Sequence, residues 1–254
     1  MKLFIDTADL DEIREACSWG IVDGLTTNPS LIRRAVEARS EHQINMADYI
    51  EKICDAVPGP VSLEVIGLSA EAMVREALSL YVRFNRVKGN VVIKIPANPN
   101  DGTPSGQPSF DGLRAIAKLA ERDVPVNATL VMTPEQALLC AKAGARYVSP
   151  FMGRVDDFAG EEEAEGPADG PERPGNRLVS ATVAILRAHK LDCRVIAASV
   201  RDVGHVRAAA LAGAEIATVP FAVLQSMIEH PKTAEGIRRF TADIVPAYGE
   251  LFTA

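Results

Sequence analysis

The sequence predicts a single closed (β/α)8 barrel, and three observations carry that prediction. Short β-rich runs alternate with longer amphipathic ones along the chain, the pattern of parallel strands joined by helical crossovers. There are eight such runs, each followed by helix, which points to closure rather than an open sheet. Polar residues stand at the C-terminal ends of nearly all of them, the end where barrels of this kind build their chemistry.

Taken in order, strand 3–6 is an apolar run that ends in Asp6, and 24–27 ends in Thr26-Thr27 just before Asn28. Strand 61–66 alternates, so Ser62 and Glu64 share one face. Strand 90–96 is apolar except for Lys94. In 125–130, Asn127 and Thr129 lie two apart and share a face. Strand 147–151 holds Ser149 and Phe151, with Arg154 just beyond; 194–199 ends in Ser199, with Arg201 after it. Strand 215–220 completes the set, and the reading finds no polar site residue in it. Helices are expected at 70–86, 111–121, 134–143, 178–189 and 203–212. Ala143-Gly144-Ala145 and Ala212-Gly213-Ala214 each end a helix before a strand, where glycine is favoured for its left-handed backbone. A helical tail from 231 to about 248 is extra to the barrel, so 231–254 forms a C-terminal extension.

Two insertions break the rhythm. Segment 97–110 is rich in Pro, Gly, Asn and Ser, and segment 156–176 is acidic; both read as solvated loops. The second holds eight acids (Asp156, Asp157, Glu161, Glu162, Glu163, Glu165, Asp169 and Glu172) and one base, Arg173. It therefore accounts for the formal charge of −7 by itself, and the rest of the chain is neutral. Its carboxylates are expected to point outward. No basic face suggests nucleic acid, and no apolar run is long enough to span a membrane. The N-terminus enters a strand directly, which predicts no leader peptide. Four dispersed cysteines, Cys17, Cys54, Cys140 and Cys193, suit reduced thiols in a cytoplasm.

Lys94 is the most informative residue. An ammonium buried in apolar surroundings tends to shed its proton, and a neutral amine is a nucleophile able to form a Schiff base with a carbonyl. The other strand-end residues fit that chemistry. Glu64 and Thr129 can hold water and move protons for imine formation, and Asp6 can take a hydroxyl proton during carbon–carbon cleavage. Asn28, Asn127 and Ser149 offer amide and hydroxyl partners to a polyol, while Arg154, Ser199 and Arg201 suit a phosphate. The histidines, His42, His189, His205 and His230, are dispersed over helices and connections, which argues against a metal-dependent mechanism.

Several stretches together make the chain resemble the small transaldolase family, which includes the fructose-6-phosphate aldolases. They are Phe4-Ile5-Asp6-Thr7-Ala8, Gly24-Leu25-Thr26-Thr27-Asn28-Pro29-Ser30, Ser62-Leu63-Glu64-Val65 and Val91-Val92-Ile93-Lys94-Ile95-Pro96. Val126-Asn127-Ala128-Thr129-Leu130-Val131, Tyr147-Val148-Ser149-Pro150-Phe151-Met152-Gly153-Arg154 and Ala197-Ala198-Ser199-Val200-Arg201 continue the series. The resemblance implies a barrel of the class I aldolase type, with no metal and no cofactor. It implies Lys94 as the Schiff-base lysine, Asp6 as the acid/base, and Glu64 and Thr129 as holders of the catalytic water. Asn28, Asn127 and Ser149 would contact the dihydroxyacetone unit and Arg154, Ser199 and Arg201 the phosphate, with Thr27 and Phe151 among the substrate-binding residues. Small sugar phosphates are the implied partners, with a homo-oligomer of pentameric rings, single or doubled to a decamer.

Members of the aldolase branch carry Gln in place of Glu64 and Tyr in place of Phe151, so this chain resembles the transaldolase branch. A phenylalanine cannot hydrogen-bond the catalytic water, which favours passing the three-carbon unit to an aldehyde over releasing it. The two long insertions depart from the family pattern. The alternatives are an aldolase-type lyase, a transaldolase for another anionic sugar, and a non-catalytic sugar-phosphate-binding barrel.

Overall fold

The computed structural model describes residues 1–38, 45–100, 109–160, 170 and 173–252. Eight parallel strands close into a barrel in sequence order: β1 (Lys2–Asp6), β2 (Gly24–Thr26), β3 (Val61–Glu64), β4 (Val91–Pro96), β5 (Val126–Val131), β6 (Tyr147–Pro150), β7 (Arg194–Ala197) and β8 (Ile216–Val219). Closure comes from β8 pairing with β1, with Ile216 opposite Lys2 and Val219 opposite Ile5. All eight expected strands are present, most of them trimmed by a residue or two at their ends.

Helices fill the outer layer: α1 (Leu10–Ser18), α2 (Pro29–Glu37), α3 (Met46–Ala56), α4 (Ala70–Lys88), α5 (Asp111–Ala120), α6 (Pro134–Lys142), α7 (Met152–Ala159), α8 (Pro174–Ala188), α9 (Val203–Ala212) and α10 (Phe221–Ser226). Beyond them lie α11 (Pro231–Ala242), the short α12 (Pro246–Gly249) and a 3-10 turn at Glu250–Phe252. The expected single tail helix is thus split, because Pro246 cannot continue a helix and instead starts a new one. Gly144 and Gly213 do take positive φ, 100° and 78°, where a helix hands over to a strand.

Two hydrophobic layers position the site. The outer one packs strand residues such as Ile5, Leu63, Ile93 and Val148 against the helices. The inner one is a separate cluster of Phe4, Val92, Tyr147, Ile196 and Ile216, which plugs the barrel. Each inner residue lies two positions before a residue at the upper end of its strand: Asp6, Lys94, Ser149, Ala198 and Thr218. Strand alternation therefore converts an apolar floor into a polar layer directly above it. Gly24 belongs to the same arrangement, since a Cβ there would collide with the Phe4 ring.

The acidic segment corrects one expectation. Asp156, Asp157, Phe158 and Ala159 are helical rather than looped, and Pro174–Asn176 begin α8. Asp156 does not point outward: it is 8% exposed and pairs with Arg173 at 2.6 Å and with His205 at 2.7 Å. The central part of that segment and most of 97–110 lie outside the described residues. Within the described residues no helix is long and apolar enough to cross a membrane, and all four cysteines are free thiols. Burial pushes the Cys140 and Cys193 thiols up to about 12, so neither is a ready nucleophile.

Candidate active site

At the C-terminal end of the barrel the strands open onto a cavity of about 420 Å3. Every strand delivers a polar side chain to it: Asp6, Thr26, Glu64, Lys94, Thr129, Ser149, Ser199 (just past β7) and Thr218. Lys94 is 4% exposed. Register alone brings Glu64 beside it, since the two are paired residues of β3 and β4.

The Lys94 amine is buried, but its surroundings are not the apolar ones its strand suggests. Its Nζ lies 2.9 Å from Glu64 Oε2 and donates to the Thr27 carbonyl at 2.8 Å. A carboxylate in contact with an ammonium is a ready acceptor for its proton. Close by, Thr129 Oγ1 is buried with no hydrogen-bond partner among the described residues. A buried hydroxyl left in this state beside an open cavity is a natural seat for water or substrate.

Asp6 stands on the other side of Lys94, held by a chain of hydroxyls. Thr26 donates to Asp6 Oδ1 at 2.6 Å, and Thr218 Oγ1 lies 2.6 Å from Thr26 Oγ1. Thr26 has only one proton to give, so Thr218 must be the donor to Thr26. Burial holds the Asp6 carboxyl above its ordinary value of 3.8 despite the opposing Thr26 bond and the charges of Lys94 and Arg34, and the Glu64 charge adds to the rise. A carboxylate with raised proton affinity suits an acid/base role.

Arg154, Ser199 and Arg201 line the rim together. Backbone bonds from Met152 to the Ala198 carbonyl (2.9 Å) and from Gly153 to the Ser199 carbonyl (3.0 Å) tie α7 to the β7–α9 loop. Gly153 is required by this closeness, because a Cβ would strike the Arg201 guanidinium and the Ser199 carbonyl. Ser199 has φ 56°, a left-handed conformation unusual for a non-glycine residue and common at functional sites. Arg201 pairs with Asp157 at 2.6 Å, both side chains about half exposed.

Ten of the twelve residues that the sequence singles out line this cavity. Thr27 and Asn127 do not. The Thr27 hydroxyl is committed to the Ser62 carbonyl at 2.8 Å, and its contribution is the carbonyl that holds Lys94. Asn127 is fully buried, accepting from Ser149 at 2.7 Å and donating to Ser62 at 3.3 Å. Asn28 lines the cavity while its Oδ1 caps α2 through the Leu31 N–H.

Thr26, which the sequence marks as a strand end without a site role, also lines the cavity, as do Thr218 and Arg34, which it does not mark. A lone threonine in Ile216-Ala217-Thr218-Val219, two positions after Ile216, was the available signal for Thr218. Arg34 carried none, since it reaches the cavity from the second turn of α2. Among the described residues, the lining holds four bases (Arg34, Lys94, Arg154, Arg201) against two acids (Asp6, Glu64). The site is thus locally cationic in an acidic chain, which favours an anionic ligand.

Comparison with known proteins decides the family. The model of the transaldolase/fructose-6-phosphate aldolase family matches residues 3–251. This chain belongs to that family. Proteins named probable transaldolase are similar along almost their whole lengths. The one from Symbiobacterium thermophilum is 43% identical over 99% of this chain and 100% of its own. The one from Desulfatibacillum aliphaticivorans is 44% identical over 96% of this chain and 97% of its own. The one from Aquifex aeolicus is 41% identical over 96% of each. The family membership agrees with the resemblance drawn from the strand-end motifs, and the barrel agrees with the fold it implies.

Proposed function

We propose that the chain is a transaldolase, moving a dihydroxyacetone unit from a ketose phosphate such as sedoheptulose 7-phosphate or fructose 6-phosphate to an aldose phosphate. The observation that carries this reading is the Lys94 amine, buried at the floor of a cationic cavity and 2.9 Å from Glu64. Transfer of the ammonium proton to Glu64 frees the amine to attack the C2 carbonyl. Glu64 then returns a proton, by way of water held at Thr129, to expel the carbinolamine hydroxyl as water and leave an iminium.

Asp6 takes the proton of the C4 hydroxyl. The C3–C4 bond breaks, its electrons pass into the iminium to form an enamine, and an aldose phosphate departs. The acceptor aldehyde adds to the enamine, and Asp6 returns its proton to the new hydroxyl. Hydrolysis of the imine releases the product and restores Lys94. Asn28 and Ser149 are the partners for the three-carbon unit, and Arg154, Ser199 and Arg201 for the phosphate. Phe151, which lines the cavity without a hydroxyl to direct water at the enamine, favours transfer over release.

Borohydride reduction with fructose 6-phosphate, followed by peptide mass spectrometry, tests the reading. A three-carbon adduct on Lys94 is expected, and turnover should require erythrose 4-phosphate or a similar acceptor. Release of glyceraldehyde 3-phosphate at full rate without acceptor would make the protein an aldolase-type lyase. No adduct from folded protein would remove this donor.

The reading extends to assembly and location. Phe240, Ile244, Val245, Tyr248 and Phe252 are each more than half exposed, so the chain itself leaves the tail's apolar face uncovered. A second copy of the chain in a pentameric ring is the cover we favour, checked by sedimentation. A cytoplasmic location accords with four free thiols.

A further inference from the structure

Behind the rim that carries Arg201 lies a buried polar cluster that the reaction does not use. His205, in the first turn of α9, is 0% exposed. Its Nδ1 accepts the backbone N–H of Arg201 at 3.2 Å, and its Nε2 lies 2.7 Å from Asp156 Oδ2. A backbone N–H can only donate, so Nδ1 must be the unprotonated nitrogen and Nε2–H must donate to Asp156. Asp156 is saturated in turn: its Oδ1 accepts the Gly175 N–H at 2.7 Å and its Oδ2 also receives Arg173 Nε at 2.6 Å. Arg173 reaches on to Asp202, whose carboxylate caps α9 through the His205 N–H.

We propose that His205 is a positioning residue for phosphate recognition: Asp156 fixes its tautomer, and its Nδ1 fixes the turn from Ser199 to Arg201 that presents both residues to the substrate's phosphate. The inference rests on the transaldolase reading only in taking that rim as the phosphate site. Three facts join in it. The imidazole has no route to the cavity, being buried and absent from its lining. It bonds the main chain of a rim arginine instead of a side chain. The same histidine also ties α7, which carries Arg154 and Asp156, to the loop that carries Ser199. Together with the backbone bonds of Met152 and Gly153, the histidine thus helps set the spacing of all three phosphate contacts, the role a supporting hydrogen bond plays behind a ligating side chain.

The charged groups around the ring are Asp156 from α7, Arg173 ahead of α8 and Asp202 at the start of α9. Burial and the Arg173 charge hold the imidazole below its ordinary value of 6.5, against Asp202 and Asp156. It is therefore neutral at cellular pH, as an accepting Nδ1 requires. Protonation would set an N–H of the ring against the N–H of Arg201, so phosphate affinity should fall once acidification charges the ring.

The test compares His205→Asn, His205→Gln and His205→Leu in the full chain. Asparagine can supply an acceptor near the Nδ1 position; glutamine can reach Asp156 but leaves Arg201 without its acceptor. With fructose 6-phosphate, the Gln and Leu variants should raise KM about tenfold with kcat changed less than threefold, and Asn should stay within about threefold of wild type. Borohydride trapping of Lys94 by dihydroxyacetone, which has no phosphate, should not follow the same order. A KM unchanged in Gln and Leu, an Asn variant no better than Gln, or equal losses with dihydroxyacetone would each overturn the proposal.

Inorganic phosphate, titrated by 31P NMR into wild type, His205→Gln and Arg201→Gln, separates this proposal from the reading it rests on. Binding weakened by both substitutions sustains the role of His205 even if fructose 6-phosphate is not turned over. Equal binding by wild type and His205→Gln overturns it even if turnover is normal. No phosphate binding by wild type overturns it together with the phosphate assignment.

Discussion

Two buried ion pairs in this barrel have nearly the same geometry and opposite fates. Lys94–Glu64 spans 2.9 Å and Arg173–Asp156 spans 2.6 Å, and in both the cation is at most 15% exposed. The second is closed on every side. Both oxygens of Asp156 are bonded, to Gly175, Arg173 and His205, and Arg173 reaches Asp202 as well. The first is open: it faces a cavity and has the unpartnered Thr129 hydroxyl nearby. Saturation makes a pair a clamp, because no proton can move without breaking other bonds. An open pair can exchange its proton and meet a substrate. The distinction lies in what surrounds the pair, not in the pair itself.

The comparison breaks most visibly at the two pairs themselves. Lys94→Met should cost activity about 10,000-fold or more while lowering stability by less than about 2 kcal/mol, since Glu64 can turn to cavity water. Steady-state kinetics beside a thermal melt checks both halves. Asp156→Ala should act mainly on stability, its effect on activity confined to KM through the loosened His205. Opening the closed pair is expected to cost about 3–5 kcal/mol, read as a Tm lower by roughly 6–20 °C for a chain of this size. A melting point unchanged in that variant would mean the cluster is not the clamp described.

Asp6 sharpens the contrast from a third side, because it is partly buried and, among the described residues, has no salt-bridge partner. Its carboxyl holds a proton more tightly in the folded state than in the unfolded chain. Between 3.8 and its raised value, stability therefore falls as pH rises, and at neutral pH the carboxylate is a net cost. Asp6→Asn should lose activity about 100-fold or more yet melt above wild type. Acidification should lower wild-type turnover as Asp6 takes up its proton.

Smaller effects test the margins. Thr129→Val removes a hydroxyl with no partner among the described residues, so turnover should drop about tenfold with Tm shifted less than about 2 °C. Asp157→Asn frees Arg201 from a half-exposed pair. Such pairs contribute little, and KM should move less than about threefold. A tenfold fall in KM would instead show that Asp157 competes with phosphate for Arg201.

Much of the site was legible in the chain because strand alternation is local. Phe4 predicts the facing of Asp6, Val92 that of Lys94 and Tyr147 that of Ser149, and each needs only a period of two. At Thr27 the rule itself gives the answer, since the preceding Thr26 faces the cavity and its neighbour must face away. Asn127 marks the limit: it shares a face with Thr129, yet its amide is taken up by Ser62 and Ser149, which alternation cannot show. Arg34 escaped for another reason, since a helix residue reaches the cavity only through the packing angle of α2.

The barrel, the order of its strands and the polar layer above the apolar plug can be read along the chain, because each follows from short-range periodicity and connectivity. Which charges are closed and which are open emerges only from the packed fold. His205 meets Asp156 across 49 residues of chain, and the bond lies between a helix start and the last turns of another helix. No local pattern encodes such a meeting. It arises when closure of the barrel brings α7 beside α9, and burial then makes the acidic residue a partner instead of part of a solvated loop.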